Sequence, residues 1–175
     1  GYGNKRIVVF DADTGAFKRM WGAFGNVPED DPLASPGSDT GPRPDPVGPD
    51  GAPQFTPPVH AVKVSTDGLV YVGDRGGRRV QIFTLAGKFV DQVFIGRECH
   101  APDCGNGQTA AGLAFSPDSE QRYLYVANRS QAQIMVFKHP FDDSARKRGH
   151  VRQDGWIFCE LINRDIFSCG EFMRP

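Results

Sequence analysis

The feature that most restricts this 175-residue chain is that parts of it repeat. One segment runs Arg6-Ile7-Val8-Val9-Phe10, turns at Asp11-Ala12-Asp13-Thr14-Gly15 and continues as Ala16-Phe17-Lys18-Arg19-Met20-Trp21. It returns as Arg79-Val80-Gln81-Ile82-Phe83, the turn Thr84-Leu85-Ala86-Gly87, then Lys88-Phe89-Val90-Asp91-Gln92-Val93. A third copy begins at Gln133-Ile134-Met135-Val136-Phe137, with no recognisable second strand directly behind it. Short β-branched and aromatic runs joined at a glycine read as hairpins. A second segment type precedes the first. It is His60-Ala61-Val62-Lys63-Val64, Ser65-Thr66-Asp67-Gly68, Leu69-Val70-Tyr71-Val72-Gly73-Asp74. Its counterpart is Ala111-Gly112-Leu113-Ala114-Phe115, Ser116-Pro117-Asp118, Tyr123-Leu124-Tyr125-Val126-Ala127-Asn128. In both, two strands flank an Asp-bearing turn.

Joined, the two types give strand, turn, strand, polar link, strand, turn, strand: an antiparallel meander of the kind that forms one propeller blade. The stretch Tyr71-Val72-Gly73-Asp74-Arg75-Gly76-Gly77-Arg78-Arg79-Val80-Gln81-Ile82-Phe83 resembles the NHL-repeat signature, an Asp followed shortly by Arg and an alternating Val/Ile run ending in Phe. Residues 1–25 resemble the outer half of an NHL blade of bacterial proteins. The resemblance implies an all-β fold, a partial β-propeller of about two and a half four-stranded blades from a ring of about six. The third copy departs from the signature, with Asn128 for Asp and Gln133 for Arg.

The expected organisation follows from the repeat. Residues 1–25 hold the outer half of a blade, 59–95 a complete blade and 110–138 three strands of the next. Residues 26–58 are rich in Pro, Gly and Asp and are expected to be an irregular or mobile surface loop. Residues 96–109 form a shorter interblade loop. From residue 139 to residue 175 the repeat breaks off. The stretch Asp142-Asp143-Ser144-Ala145-Arg146-Lys147-Arg148-Gly149-His150 stands where a fourth strand is due and is almost wholly polar, and apolar runs resume only at Trp156-Ile157-Phe158 and Leu161-Ile162. The tail reads either as a divergent closing segment or as a sequence whose reading frame or natural end has been lost, and the abrupt break after Phe137 fits the second better. Two and a half blades leave faces and edges bare, so the isolated chain is expected to self-associate.

Several residues could carry chemistry. Asp74 and Arg79 read as an ion pair tying the end of one strand to the start of the next, with a ligand-facing pair as the alternative. His60 opens a blade's first strand. In the related peptidylamidoglycolate lyase propellers histidines at such places bind zinc, which makes His60 a candidate metal ligand. Zinc needs three or four converging ligands, however, and the equivalent place in the following repeat is Ala111. The alternative for His60 is a histidine bonded to backbone. Cys99 and Cys104 read as a loop-closing disulfide, as free thiols or, with His100, as a metal site. Asp11-x-Asp13-x-Gly15 has calcium-loop spacing, but it lacks a closing glutamate and its counterpart Thr84-Leu85-Ala86-Gly87 carries no carboxylate, so it reads as a hairpin turn. Arg146-Lys147-Arg148 is a short basic run.

The formal net charge of −1 gives no overall attraction to nucleic acid or anionic lipid. No run approaches the roughly 18 apolar residues of a spanning helix. No Ser-His-Asp grouping or phosphate-binding glycine loop stands out. The leading functional expectation is a binding or scaffold module for a protein or small-molecule ligand, not an enzyme. The alternative is a metal-dependent, channel-centred enzyme resembling peptidylamidoglycolate lyase or the gluconolactonase-like propellers, with zinc or calcium in the full-length protein. RNA binding is a weaker option. An extracellular or periplasmic location is what the resemblance alone suggests.

Overall fold

The structure is a computed structural model that describes residues 4–28, 50–96, 110–128 and 133–138, and the backbone of residues 157–162 and 166–171. Its described residues form an all-β chain of three antiparallel sheets. The first sheet pairs β1 (Ile7–Phe10) with β2 (Phe17–Trp21), followed by a 3-10 turn at Ala23–Gly25. The central sheet is β3 (Val59–Val64), β4 (Leu69–Asp74), β5 (Arg79–Thr84) and β6 (Phe89–Phe94), in chain order. The third runs β7 (Ala110–Phe115), β8 (Tyr123–Asn128), β9 (Gln133–Lys138), β10 (Ile157–Ile162) and β11 (Ile166–Glu171). No helix among the described residues is long and apolar enough to cross a membrane.

Turn chemistry places the hairpins. Ser65 N–H donates to Leu69 O at 2.9 Å and Gly68 N–H to Ser65 O at 3.0 Å, while the Ser65 hydroxyl donates to Asp67. The Ser116 hydroxyl makes the same bond to Asp118 in the third sheet. Gly87 closes the β5–β6 turn at φ +87°, a backbone region that disfavours side chains, and a Cβ there would lie 2.7 Å from the Trp21 ring.

The pairing registers repeat from sheet to sheet. Ala61, Val62 and Val64 oppose Gly73, Val72 and Val70, with a bulge at His60. Gly112, Leu113 and Phe115 oppose Ala127, Val126 and Leu124, with the register shift falling at Ala111. The outer hairpins match as well: Ile82 pairs with Asp91 and Phe83 with Phe89, as Val9 pairs with Arg19 and Phe10 with Phe17, each with one extra residue on the second strand. A bulge is a fixed local feature that re-aims a strand, so its recurrence at matching positions marks a shared structural unit.

Because strand side chains alternate between faces, the central sheet feeds two cores. Tyr71, Val80 and Ile82 pack with Leu113, Leu124, Val126, Met135 and Phe137 of the third sheet. Val70, Val72 and Phe83 pack with Trp21, Ala23 and Phe55 on the other side. Aromatic edges make the seams: Tyr71 meets Phe115 at 4.9 Å and 84°, Trp21 meets Phe83 at 5.9 Å, and Phe24 meets Phe89 at 5.0 Å. Residues Arg79 to Phe83 are consequently all buried, as befits a strand covered on both faces. Two apolar residues on β3 are not covered: Val62 is 51% exposed and Val64 55%.

The third sheet departs from expectation. No strand partner is evident in the sequence directly behind Phe137, yet the backbone rejoins the sheet further on. β10 pairs with β9, Phe158 opposite Phe137 and Glu160 opposite Met135, and β11 pairs with β10. The run from Ile157 to Ile162 has the apolar, β-branched character that a strand needs, which residues 142–150 lack.

Double-sided burial makes a specific prediction. Phe83→Ala should cost about 3–5 kcal/mol, as truncation of a buried aromatic does, whereas Val62→Ala should cost within about 0.5 kcal/mol, as for an exposed site. Urea unfolding followed by tryptophan fluorescence measures both, and equal costs would contradict the packing described.

Candidate functional site

The densest polar cluster lies at one end of the central sheet, where β4 stops and β5 starts. Asp74 and Arg79 are directly opposite in the ladder. Arg79 Nε donates to Asp74 Oδ2 at 2.9 Å, and both side chains are fully buried. This is the ion pair anticipated from the repeat. Asp74 also accepts from Gly77 N–H at 3.2 Å and Thr56 N–H at 2.9 Å through Oδ1.

The rest of the guanidinium does something the repeat did not announce. Nη1 donates to Asp50 O at 3.0 Å, and Nη2 donates to Ala52 O at 2.7 Å and Gln54 O at 3.1 Å. The Phe24 ring lies 5.0 Å from the guanidinium carbon. Arg79 therefore holds residues 50–56, the returning end of the long insertion, against the sheet. Gln92 Nε2 donates to Asp50 O at 3.0 Å, Gln81 Nε2 to Gln92 Oε1 at 2.9 Å, and Phe24 N–H to Gln81 Oε1 at 3.1 Å. This chain of bonds joins the insertion, the central sheet and the 3-10 turn of the first sheet. Gly76 lets the insertion come close to the turn Arg75–Arg78: a Cβ there would sit 2.3 Å from Pro57 O and 2.4 Å from Thr56 O.

The described end of the 26–58 loop, residues 50–58, is irregular, without helix or strand, and it is packed against the sheet. Phe55 is 1% exposed and belongs to a core cluster. A proline-rich strand of backbone has few donors of its own, so its carbonyls are satisfied from outside by a planar fork of N–H groups. Gln81 and Gln92 escaped the sequence reading. Their signal is a polar residue set between Val80 and Ile82 in an otherwise apolar strand, matched by another polar residue in the facing one.

Burial pushes the Asp74 carboxyl up to about 6, against the opposing pull of Arg79 and the two backbone N–H donors. Arg75 and Arg78 are buried beside this pair, and Arg78 donates to Gly96 O. Burial above all, with Asp67 and Asp91 adding to it, raises the Tyr71 phenol far beyond its usual range, so it keeps its proton at neutral pH.

His60 sits at the β3 bulge, and its Nδ1 faces Ala111 O across the two sheets. A carbonyl accepts, so Nδ1 is the protonated nitrogen and the ring fastens the central sheet to the third. Among the described residues no three His, Cys, Asp or Glu side chains converge to hold a metal ion. Asp11 serves its turn: Oδ1 accepts from Asp13 N–H, Thr14 N–H and the Thr14 hydroxyl, and Oδ2 pairs with Lys18 Nζ at 2.7 Å. Lys18 first, and then the Thr14 bonds, hold the Asp11 carboxyl down at about 2. Cys99, Cys104 and the basic run Arg146-Lys147-Arg148 lie outside the described residues. Comparison with protein-family models, curated proteins and solved structures found no match.

Two predictions follow the geometry. Arg79→Met should cost about 3–5 kcal/mol by leaving the buried Asp74 without its partner, and it should speed amide exchange at Thr56. Arg79→Lys should recover only part of this, since one ammonium cannot reach three carbonyls and a carboxylate together. For Asp74 the folded pKa of about 6 exceeds the unfolded value near 3.8. Its contribution to stability is therefore full below about pH 4 and lost as pH rises through about 6. Denaturant titrations across that range should show the wild type losing stability relative to Asp74→Asn, and the opposite slope would contradict this assignment.

Proposed function

We propose that the three sheets are consecutive blades of an NHL-type β-propeller and that the chain acts as a binding scaffold. A protein or small-molecule ligand would engage the end where the long connections gather. The observation that carries this reading is the repeated register: matching bulges recur at His60 and Ala111, and again in the β1–β2 and β5–β6 hairpins. Face-to-face packing of the central sheet on both neighbours supports it, as does the half-exposed state of Val62 and Val64. In a ring each blade covers the next, and inner strands of the first sheet's blade would fall over these two valines.

The polar cluster favours a scaffold over a reaction centre. Asp74 and Arg79 spend their hydrogen bonds on backbone and on each other, holding the base of a long connection rather than presenting a reactive group. A rigid frame carrying long connections is the arrangement by which loops supply recognition. A channel-centred metal enzyme would need further ligands beside His60.

The reading is tested by placing a photoreactive benzoylphenylalanine at Pro53, exposed at the cluster end, or at Leu85, which is 50% exposed at the opposite end. Irradiation in extract of the source cells should give discrete adducts from the Pro53 position and none from Leu85. Equal labelling at both ends, or none at either, would overturn the assignment of the binding face.

A further inference from the structure

The chain has four cysteines, and two of them meet in the ladder. Cys159 on β10 and Cys169 on β11 are direct partners in the antiparallel register, each three positions from the residue pair Ile162–Ile166 that closes the hairpin. We propose that Cys159 and Cys169 form a cross-strand disulfide, a redox-controlled staple on the edge of the third sheet.

The argument is one of placement. Directly opposed residues of an antiparallel pair share a face, with Cβ atoms about 4.5–5.5 Å apart. A disulfide takes Cα atoms about 4.4–6.8 Å and Cβ atoms about 3.5–4.5 Å apart, so the bond asks for a small closing movement and no change of register. A slip of one residue would put the two cysteines on opposite faces and forbid it. The position also has consequence. β11 is the end strand of the five-stranded order, beyond β10. An end strand held only by backbone bonds can peel away and offer its neighbour's edge to another chain. A bond between the two strands keeps the edge closed, and reduction releases it.

The chemistry balances through thiol–disulfide exchange with a low-molecular-weight disulfide such as glutathione disulfide. One cysteine thiolate attacks it, forming a mixed disulfide and expelling one glutathione thiolate. The second cysteine then attacks the mixed disulfide, forms the Sγ–Sγ bond and expels the other. The two protein thiols give up two protons and two electrons, and glutathione disulfide takes them up as two thiols.

Peptide mapping of the full chain decides the matter. The chain is equilibrated with glutathione disulfide, its remaining thiols are blocked with iodoacetamide, and it is digested with trypsin without reduction. Cleavage after Arg152 and Arg164 puts Cys159 in peptide 153–164 and Cys169 in peptide 165–175, while Cys99 and Cys104 share peptide 98–122. The expected product is 153–164 joined to 165–175 and separated by reductant, formed equally in Cys99→Ser/Cys104→Ser and lost in Cys169→Ser. Amide exchange over 166–171 should slow on oxidation of the wild type. The two peptides recovered singly alkylated, or either one joined to 98–122, would overturn the proposal on wild-type protein alone, whatever the folding of the variants.

Discussion

A four-stranded sheet that is apolar on both faces cannot stand alone in water, and everything else in this structure answers to that constraint. Tyr71, Val80 and Ile82 require one cover, and Val70, Val72 and Phe83 require another. Burying a large apolar side chain is worth about 1.5–3 kcal/mol, so each neighbouring sheet is held by several such groups rather than by polar contacts. The rings at the seams meet edge-on or tilted, which aromatic quadrupoles favour. Where cover is partial, as at Val62 and Val64, apolar surface is left in solvent.

Much of this order could be read from residues, because a hairpin's register is a local matter. The spacing of Ser65-Thr66-Asp67-Gly68 and of Thr84-Leu85-Ala86-Gly87 determines which residues of the flanking strands face each other, and the repeat carries that pairing to the next copy. The equivalences of His60 with Ala111, and of the Asp74–Arg79 pair with Asn128–Gln133, follow in the same way and hold in the ladder. What could not be read depends on distance along the chain. Nothing near Asp50 or Gln54 says that a guanidinium twenty-five or more residues later will take up their carbonyls. The apolar run from Ile157 is visible in the sequence, but nothing in it says that this strand pairs with the one ending at Phe137.

The polar cluster shows how a proline-rich connection can be ordered without secondary structure of its own. Its carbonyls need donors, and a buried guanidinium supplies several in one plane. Three buried arginines within five residues would be an electrostatic burden on any small protein. Here Arg79 is matched by the Asp74 carboxylate and by aligned carbonyl dipoles, and Arg78 is tied to the backbone at Gly96. The cluster is thus a fastening for residues 50–56.

The contact between the central and third sheets is pinned at both extremities of their inner strands. His60 reaches Ala111 O at one, and Gln121 Oε1 accepts from Thr66 N–H and its hydroxyl at the other, at 2.8 and 3.2 Å. Two rivets at opposite ends of the inner strands resist sliding of one sheet over the other. What keeps the outer strands of the two sheets together is instead apolar, Val80 and Ile82 packed with Met135 and Phe137.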